Sequence, residues 1–302
     1  YFYQVSGNLT NVNLTVYPEV IRASNDLAYY GGDTSNRDVD ADGTFMPEEL
    51  AQEAVEGIST PVDWDPFDLD GDGTIDRLLI LHTSKGQEEN PGVKNRIWSH
   101  FTHFDSPINV AEGHTVEHYT MASLQTGTSG IGTIMHEMMH QMGAVDLYPV
   151  HDDSSFQTWK GLGDWDVMAS GNWNGGGLWP ALPSGGILDM IGANRTVELD
   201  LTWPSDSVSP CIGPTITLDG TSDSGDVLKV PIGEDESIYI ERRSDSGYDT
   251  RLPGSGILVT YSDSSAGNID RNEVNTNPNF PFLMVIEADG QQDLVSGSNE
   301  GE

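Results

Sequence analysis

The stretch HEMMHQMGAVDLY, residues 136–148, carries two histidines and two carboxylates, and its reading decides the rest. On a helix, residues four apart share a side, so His136 and His140 can each offer an imidazole nitrogen to one ion. Glu137 sits about 100° further round. It is too far round to be an equal ligand but can reach a water on that ion, which is the mechanical content of H-E-x-x-H. Gly143 tolerates positive φ and can stop the helix and turn the chain back. That turn is expected to carry Asp146 towards the ion as third ligand. Two neutral histidines and one carboxylate suit zinc and leave a fourth position for water. The plainer alternative is a Met-rich core helix with its polar residues facing solvent. Glycine and aspartate at the eighth and eleventh positions of the stretch favour zinc.

Around this stretch, the composition is that of a folded chain. Its 302 residues suffice for one large domain or two modest ones. A hydrophobic fraction of 36%, with seven Trp and ten Tyr, excludes a disordered polymer. No apolar run approaches the roughly 18 residues that a membrane helix needs. The start, YFYQVSGNLT, has neither a basic nor an apolar leader region, so a mature or trimmed form is expected. With 48 acidic against 13 basic residues the formal charge is -35. Such a surface repels phosphate backbones and argues against nucleic acid as partner. Calcium loops use part of this acid, and a high-salt habitat, where screening suppresses self-repulsion, accommodates the rest. Cys211 is the only cysteine, so no intrachain disulfide can form. It reads as a small buried hydrophobe, and a secreted chain without disulfides needs other staples such as calcium.

Two Asp-rich loops supply candidates. Residues 38–49, DVDADGTFMPEE, fit a twelve-residue calcium loop with Asp38, Asp40, Asp42, the Thr44 carbonyl and Glu49 as ligands. Residues 68–76, DLDGDGTID, repeat its first half with Asp68, Asp70, Asp72, Thr74 and Asp76. The closing carboxylate of this second loop must come from elsewhere, and Glu88 and Glu89 are candidates.

Periodicity places these motifs. Residues 46–58 read as a helix with Pro47 in its first turn and Leu50, Ala54 and Ile58 on one face. The run 77–82, RLLILH, reads as a buried strand, and 114–121, HTVEHYTM, as a half-buried one. The histidine helix starts near Ser129, with Ile131, Met135, Met138 and Met142 as its apolar stripe. From residue 196 onward, short strands alternate with Gly, Ser and Asp. The expected fold class is α+β. Residues 1–195 would form the domain that holds the metal, and 196–302 a β-rich segment, separate or part of the same unit.

The 136–146 pattern resembles the metzincin motif with Asp in place of the usual third His, and Met168 in DWDVMASGNWN is the candidate Met-turn residue. Further pieces, in order, make the chain similar to the immune inhibitor A family of secreted zinc metallopeptidases. They are YYGGD (29–33), DLDGDGTIDRLLILHTSKGQEE (68–89), IWSH (97–100), the zinc stretch, LGDWDVMASGNW, and GYDTRLPGSGILVTYSD with VIEADGQQDL within 247–294. The chain departs from the family pattern at Met139, which replaces a small residue, at Ala144-Val145, and at His82-Thr83-Ser84. The resemblance implies a zincin-like domain and an extracellular endopeptidase acting on protein or peptide substrates. It implies one catalytic zinc at His136, His140 and Asp146, with Glu137 as general base and structural calcium. It also suggests that the 114–121 strand forms the rim of a substrate cleft. A calcium-dependent binding module on a degenerate protease fold is the rival reading; the intact Glu137 argues against it, because a scaffold has no need of that base.

Overall fold

The computed structural model describes residues 1–125, 130–150, 158–206, 208–210 and 212–298. Cys211, His151 and the expected helix start at Ser129 lie outside the described residues. The α-helices are α1 (Phe2–Val5), α2 (Leu27–Tyr30), α3 (Met46–Glu56), α4 (Gly130–His140), α5 (Gly185–Met190) and α6 (Asp293–Ser296). The strands are β1 (Leu79–His82), β2 (His100–Ala111), β3 (His114–Ser123), β4 (Thr196–Glu198), β5 (Val227–Pro231), β6 (Glu236–Arg243), β7 (Gly256–Asp263) and β8 (Leu283–Val285). Helix and strand are thus mixed, and the C-terminal region is rich in sheet. The chain forms two compact units, one of residues 14–142 and one of residues 1–13 with 143–302.

The 14–142 unit is built on a three-stranded sheet in the order β1-β3-β2, with β1 parallel and β2 antiparallel to β3. β3 is therefore the central strand. Val116, Tyr119, Met121 and Ala122 are buried along it, which makes it more interior than the period-two pattern suggested. β2 pairs it along one side, while on the other β1 covers residues 120–123 and Thr74 bridges Thr115, which leaves little of the expected rim strand open to a substrate backbone; β2 is an outer strand of this sheet. Helix α3 begins with Pro47 in its first turn and with Glu48 and Glu49 at the positive end of the helix dipole. Gly57 caps it, so Ile58 falls beyond the helix. Its buried face is Met46, Ala51 and Val55, rotated from the expected one, with Leu50 partly buried. Ala51 and Val55, with Leu50 packed against them, join Tyr30, Ile75, Ile97, Phe104, Val116, Tyr119 and Met121 in one core.

The second unit carries a five-stranded sheet in the order β4-β5-β6-β7-β8. β4 runs parallel to β5, and the remaining pairs are antiparallel. Helix α5 lies close on this sheet: a Cβ at Gly185 would meet Val227 and Tyr239 side chains. Beside it the Arg243 guanidinium is fully buried. It grips Asp249 through Nε at 2.8 Å and Nη2 at 2.7 Å and donates to the Trp165 and Leu182 carbonyls. A planar fork matched to a carboxylate is the geometry in which a buried ion pair best offsets its desolvation. Arg195 ties the N-terminal residues into this unit by donating to the carbonyls of Gln4, Val5, Thr221 and Gly225.

Candidate metal centre

Helix α4 puts His136, Glu137 and His140 together, as the spacing predicts. One ligand atom from each lies within 4.8 Å of the others. The two imidazoles stand nearly perpendicular, 89° apart, with centroids 4.9 Å from one another. His136 and Glu137 are buried and His140 is half-buried. Imidazole nitrogens beside a carboxylate suit zinc better than they suit a calcium ion, which prefers oxygen donors throughout. The helix is seated on the sheet from both strands. Thr120 of β3 donates its hydroxyl to the Glu137 carbonyl at 3.2 Å. Phe101 of β2 stacks on the His140 ring with centroids 6.2 Å apart and planes 19° from parallel. Met138 and Met139 are both fully buried. Met139 is therefore an interior packing residue, and the buried face (Gly132, Thr133, His136, Glu137, Met138 and Met139) is shifted from the expected stripe, of which only Met138 is buried while Ile131, Met135 and Met142 are half-buried. Gly143 takes φ +93°, as anticipated for a helix stop.

Asp146 belongs to the other compact unit. It is buried, and Asn272 holds it twice. The Asp146 amide donates to Asn272 Oδ1 at 2.7 Å, and Asn272 Nδ2 donates to Asp146 Oδ2 at 2.6 Å. Asn272 sits at φ +52°, a left-handed conformation that asparagine tolerates, at the end of the 269–271 turn. Nothing in the sequence pointed to Asn272. Met168 is fully buried, and its carbonyl accepts the Leu147 amide at 2.8 Å, next to Asp146. Its own amide donates to Asp166 at 2.7 Å, and Ser184 N donates to the other Asp166 oxygen at 2.6 Å. Burial pushes the Asp166 carboxyl above its usual range.

The two acidic loops diverge. Among the described residues, Asp68, Asp70 and Asp76 bring ligand oxygens within 4.8 Å of one another, the other such grouping besides the histidine helix. Gly71 and Gly73 adopt positive φ here, and Asp68 accepts the amides of Gly71, Asp72 and Gly73. His114 Nε2 lies 3.9 Å from Asp68 and 3.5 Å from Asp65. Neither expected closing residue is idle: Glu88 accepts from Ser99 Oγ at 2.7 Å, and Glu89 pairs with Lys85 at 3.7 Å.

The first loop departs from the twelve-residue arrangement. Asp38, Asp40, Asp42 and Glu49 supply no group of three converging carboxylates. Asp38 takes φ +56° and turns inward, where Oδ2 accepts the Trp98 amide at 2.9 Å. Asp40 instead accepts the amides of Asp42 and Thr44, and Glu49 accepts the Tyr29 hydroxyl at 3.0 Å. The competing backbone and side-chain donors win over convergence. Burial, reinforced by Asp33 and Glu88, raises the Asp38 carboxyl to about 7.

The remaining histidines divide by environment. His100 bonds the Trp98 carbonyl and the Tyr119 hydroxyl, and His82 bonds the Ser84 hydroxyl. Burial lowers both to about 4, so they are neutral and structural at ordinary pH. His103 and His118 face each other across β2 and β3 with ring centroids 5.5 Å apart.

An H-E-x-x-H helix seated on a mixed sheet is the arrangement of a metallopeptidase catalytic domain. The chain belongs to the immune inhibitor A peptidase M6 family, whose catalytic-domain model matches residues 1–182. It is 29% identical over 197 residues to the pre-pro-metalloprotease PrtV of Vibrio cholerae, covering 53% of this chain and 20% of that protein. It is 27% identical over 199 residues to immune inhibitor A of Bacillus thuringiensis subsp. alesti, covering 58% of this chain and 28% of that protein. The chain thus spans well under a third of the length of these relatives. Among the described residues, no helix is long and apolar enough to cross a membrane.

Proposed function

We propose that this chain is a secreted, zinc-dependent endopeptidase with a zincin-like catalytic domain of the metzincin type. The observation that carries the proposal is the convergence of His136, Glu137 and His140 on α4. His136 and His140 would hold the zinc with Asp146. Asp146 enters on its spacing after Gly143 and on the Asn272 clamp that fixes its carboxylate. When bound, zinc acidifies a water and polarises the scissile carbonyl. Glu137 is the chain's own base: its carboxylate would take one proton from the attacking water as the water oxygen bonds to the peptide carbon. It would then return the proton to the amide nitrogen as the C–N bond breaks, so the products are one carboxylic acid, which ionises at neutral pH, and one amine. Met168 packs behind the Asp146 segment and binds nothing.

The peptidase domain is proposed as residues 1–195, with 196–302 part of the same peptidase unit. In support, residues from 143 onward share one compact unit with the five-stranded sheet. Structural calcium is proposed at the Asp68, Asp70 and Asp76 loop, an all-oxygen site suited to that ion. The substrates are proteins or peptides.

Hydrolysis of an unstructured protein such as casein tests this. Activity is expected with zinc, is abolished by a zinc chelator and returns with added zinc. Activity unaffected by chelation, with no zinc in the protein, would contradict the proposal.

A further inference from the structure

We propose that Arg77, His118 and His103 form a carboxylate-binding subsite beside α4, which takes an acidic group of a peptide substrate. It rests on the peptidase reading above and adds a preference to it. The argument begins with the face of the three-stranded sheet that carries α4. Phe101 of β2 and Thr120 of β3 stand opposite each other, and both touch that helix, at the His140 ring and at the Glu137 carbonyl. Two residues further along, His103 and His118 are the next opposed pair on the same face. The Phe101 ring lies 5.4 Å from His103 and 5.7 Å from His118, centroid to centroid, so the ring that stacks on His140 also touches this pair.

Arg77 completes the row from the other side of β3. Leu79 pairs with Thr120 and Thr74 bridges Thr115, both in parallel and with the same offset. That offset sets Arg77 opposite His118. The Leu78 carbonyl accepts the Gln141 side-chain amide at 3.0 Å, which holds this segment against the end of α4. The charge of Arg77 is felt at His118: burial first, then His103 and Arg77, hold its imidazole below the usual range, against Glu117 and Asp76.

Two of the three side chains lack partners. Arg77 Nε is buried without an acceptor, and its guanidinium makes no hydrogen bond or ion pair among the described residues. In a chain with 48 acidic residues and 13 basic ones, this is not for want of carboxylates. Asp76 is taken by the Leu69 amide and stands in the Asp68 and Asp70 group, while Glu117 is exposed. His118 Nδ1 is likewise buried with no partner. Buried polar groups of this kind are costly unless a ligand satisfies them. The permanent charge of Arg77 opposes a metal ion at the histidine pair and favours an anion. A carboxylate fits: the planar guanidinium fork matches its two oxygens, and a neutral imidazole can donate to one of them from Nδ1. Arg77 and His118 are half-buried and His103 is exposed, so a ligand can reach the row.

Binding of labelled peptides to the full Glu137→Gln chain, read by fluorescence anisotropy, tests the subsite without turnover. Each peptide is alanine-based, with a single Glu or a single Gln stepped through its positions. At one position Glu is expected to bind at least about tenfold tighter than Gln. Adding Arg77→Gln abolishes that difference, whereas adding Lys85→Gln, which removes an equal charge from an exposed side chain, keeps it. Circular dichroism checks the fold of each variant. His103→Ala, at an exposed position, must also lower the preference, and it reads the subsite if Arg77→Gln does not fold. A chain in which no position prefers Glu, or a preference that survives Arg77→Gln, overturns the proposal. A wild-type chain that binds with this preference yet cleaves none of the peptides supports the subsite and contradicts the peptidase reading.

Discussion

Asn272 clamps Asp146 at both its backbone and its side chain, accepting the amide at 2.7 Å and donating to the carboxylate at 2.6 Å. A group that orients a metal ligand typically contributes about 10–100-fold to metal affinity. Asn272→Ala is therefore expected to weaken zinc binding by that order while the chain still folds. Competition with a chromogenic zinc chelator measures it. Unchanged affinity would mean that Asp146 does not depend on this clamp.

Glu137→Gln removes the base and keeps the side chain's shape. Peptide hydrolysis is expected to fall by at least about 10²–10⁴, the usual contribution of a general base. Zinc content should stay at the wild-type level, because the imidazoles and Asp146 are untouched. A variant that keeps most of its activity would remove Glu137 from the chemistry.

Gly143 holds φ +93°, and a Cβ there would meet nothing within 4 Å. Its need is conformational rather than steric. Gly143→Ala is expected to cost about 1–2 kcal/mol through backbone strain, read as a lower unfolding midpoint. Equal stability would mean that this turn relaxes freely.

How much of this was legible in sequence depended on how local each relationship is. His136, Glu137, His140 and Gly143 lie within two helical turns, so spacing alone was enough to group them. Asn272 stands 126 residues from Asp146, and no local pattern announces such a pairing. Asp38 misled for the same reason: the loop motif weighs only its sequence neighbours, while its carboxylate is taken by Trp98, 60 residues away. The 114–121 segment was recognisable as a strand, but its central place depends on β1 and β2 pairing to either side. Residue alternation carries no information on that order.

Glu241 provides a pH test of the second unit. Burial raises its carboxyl from 4.5 to about 7 in the folded chain, with Arg243 opposing the shift. The folded state therefore holds a proton that the unfolded state has lost between these values. That stability is fully present below about 4.5 and is lost as pH rises through about 7. Glu241→Gln imitates the neutral acid. Its stability relative to wild type should rise between pH 5 and pH 7.5, on the order of 1 kcal/mol per unit. Denaturant melts at several pH values measure this, and parallel pH profiles would place the proton elsewhere.

The most direct test of the central claim is zinc stoichiometry by elemental analysis of the purified chain, beside its His140→Ala and Asp146→Ala variants. One tightly held zinc per wild-type chain is expected, and its loss from both variants. A wild-type chain that cleaves protein without zinc, or an Asp146→Ala variant that holds zinc as firmly as wild type, would contradict it.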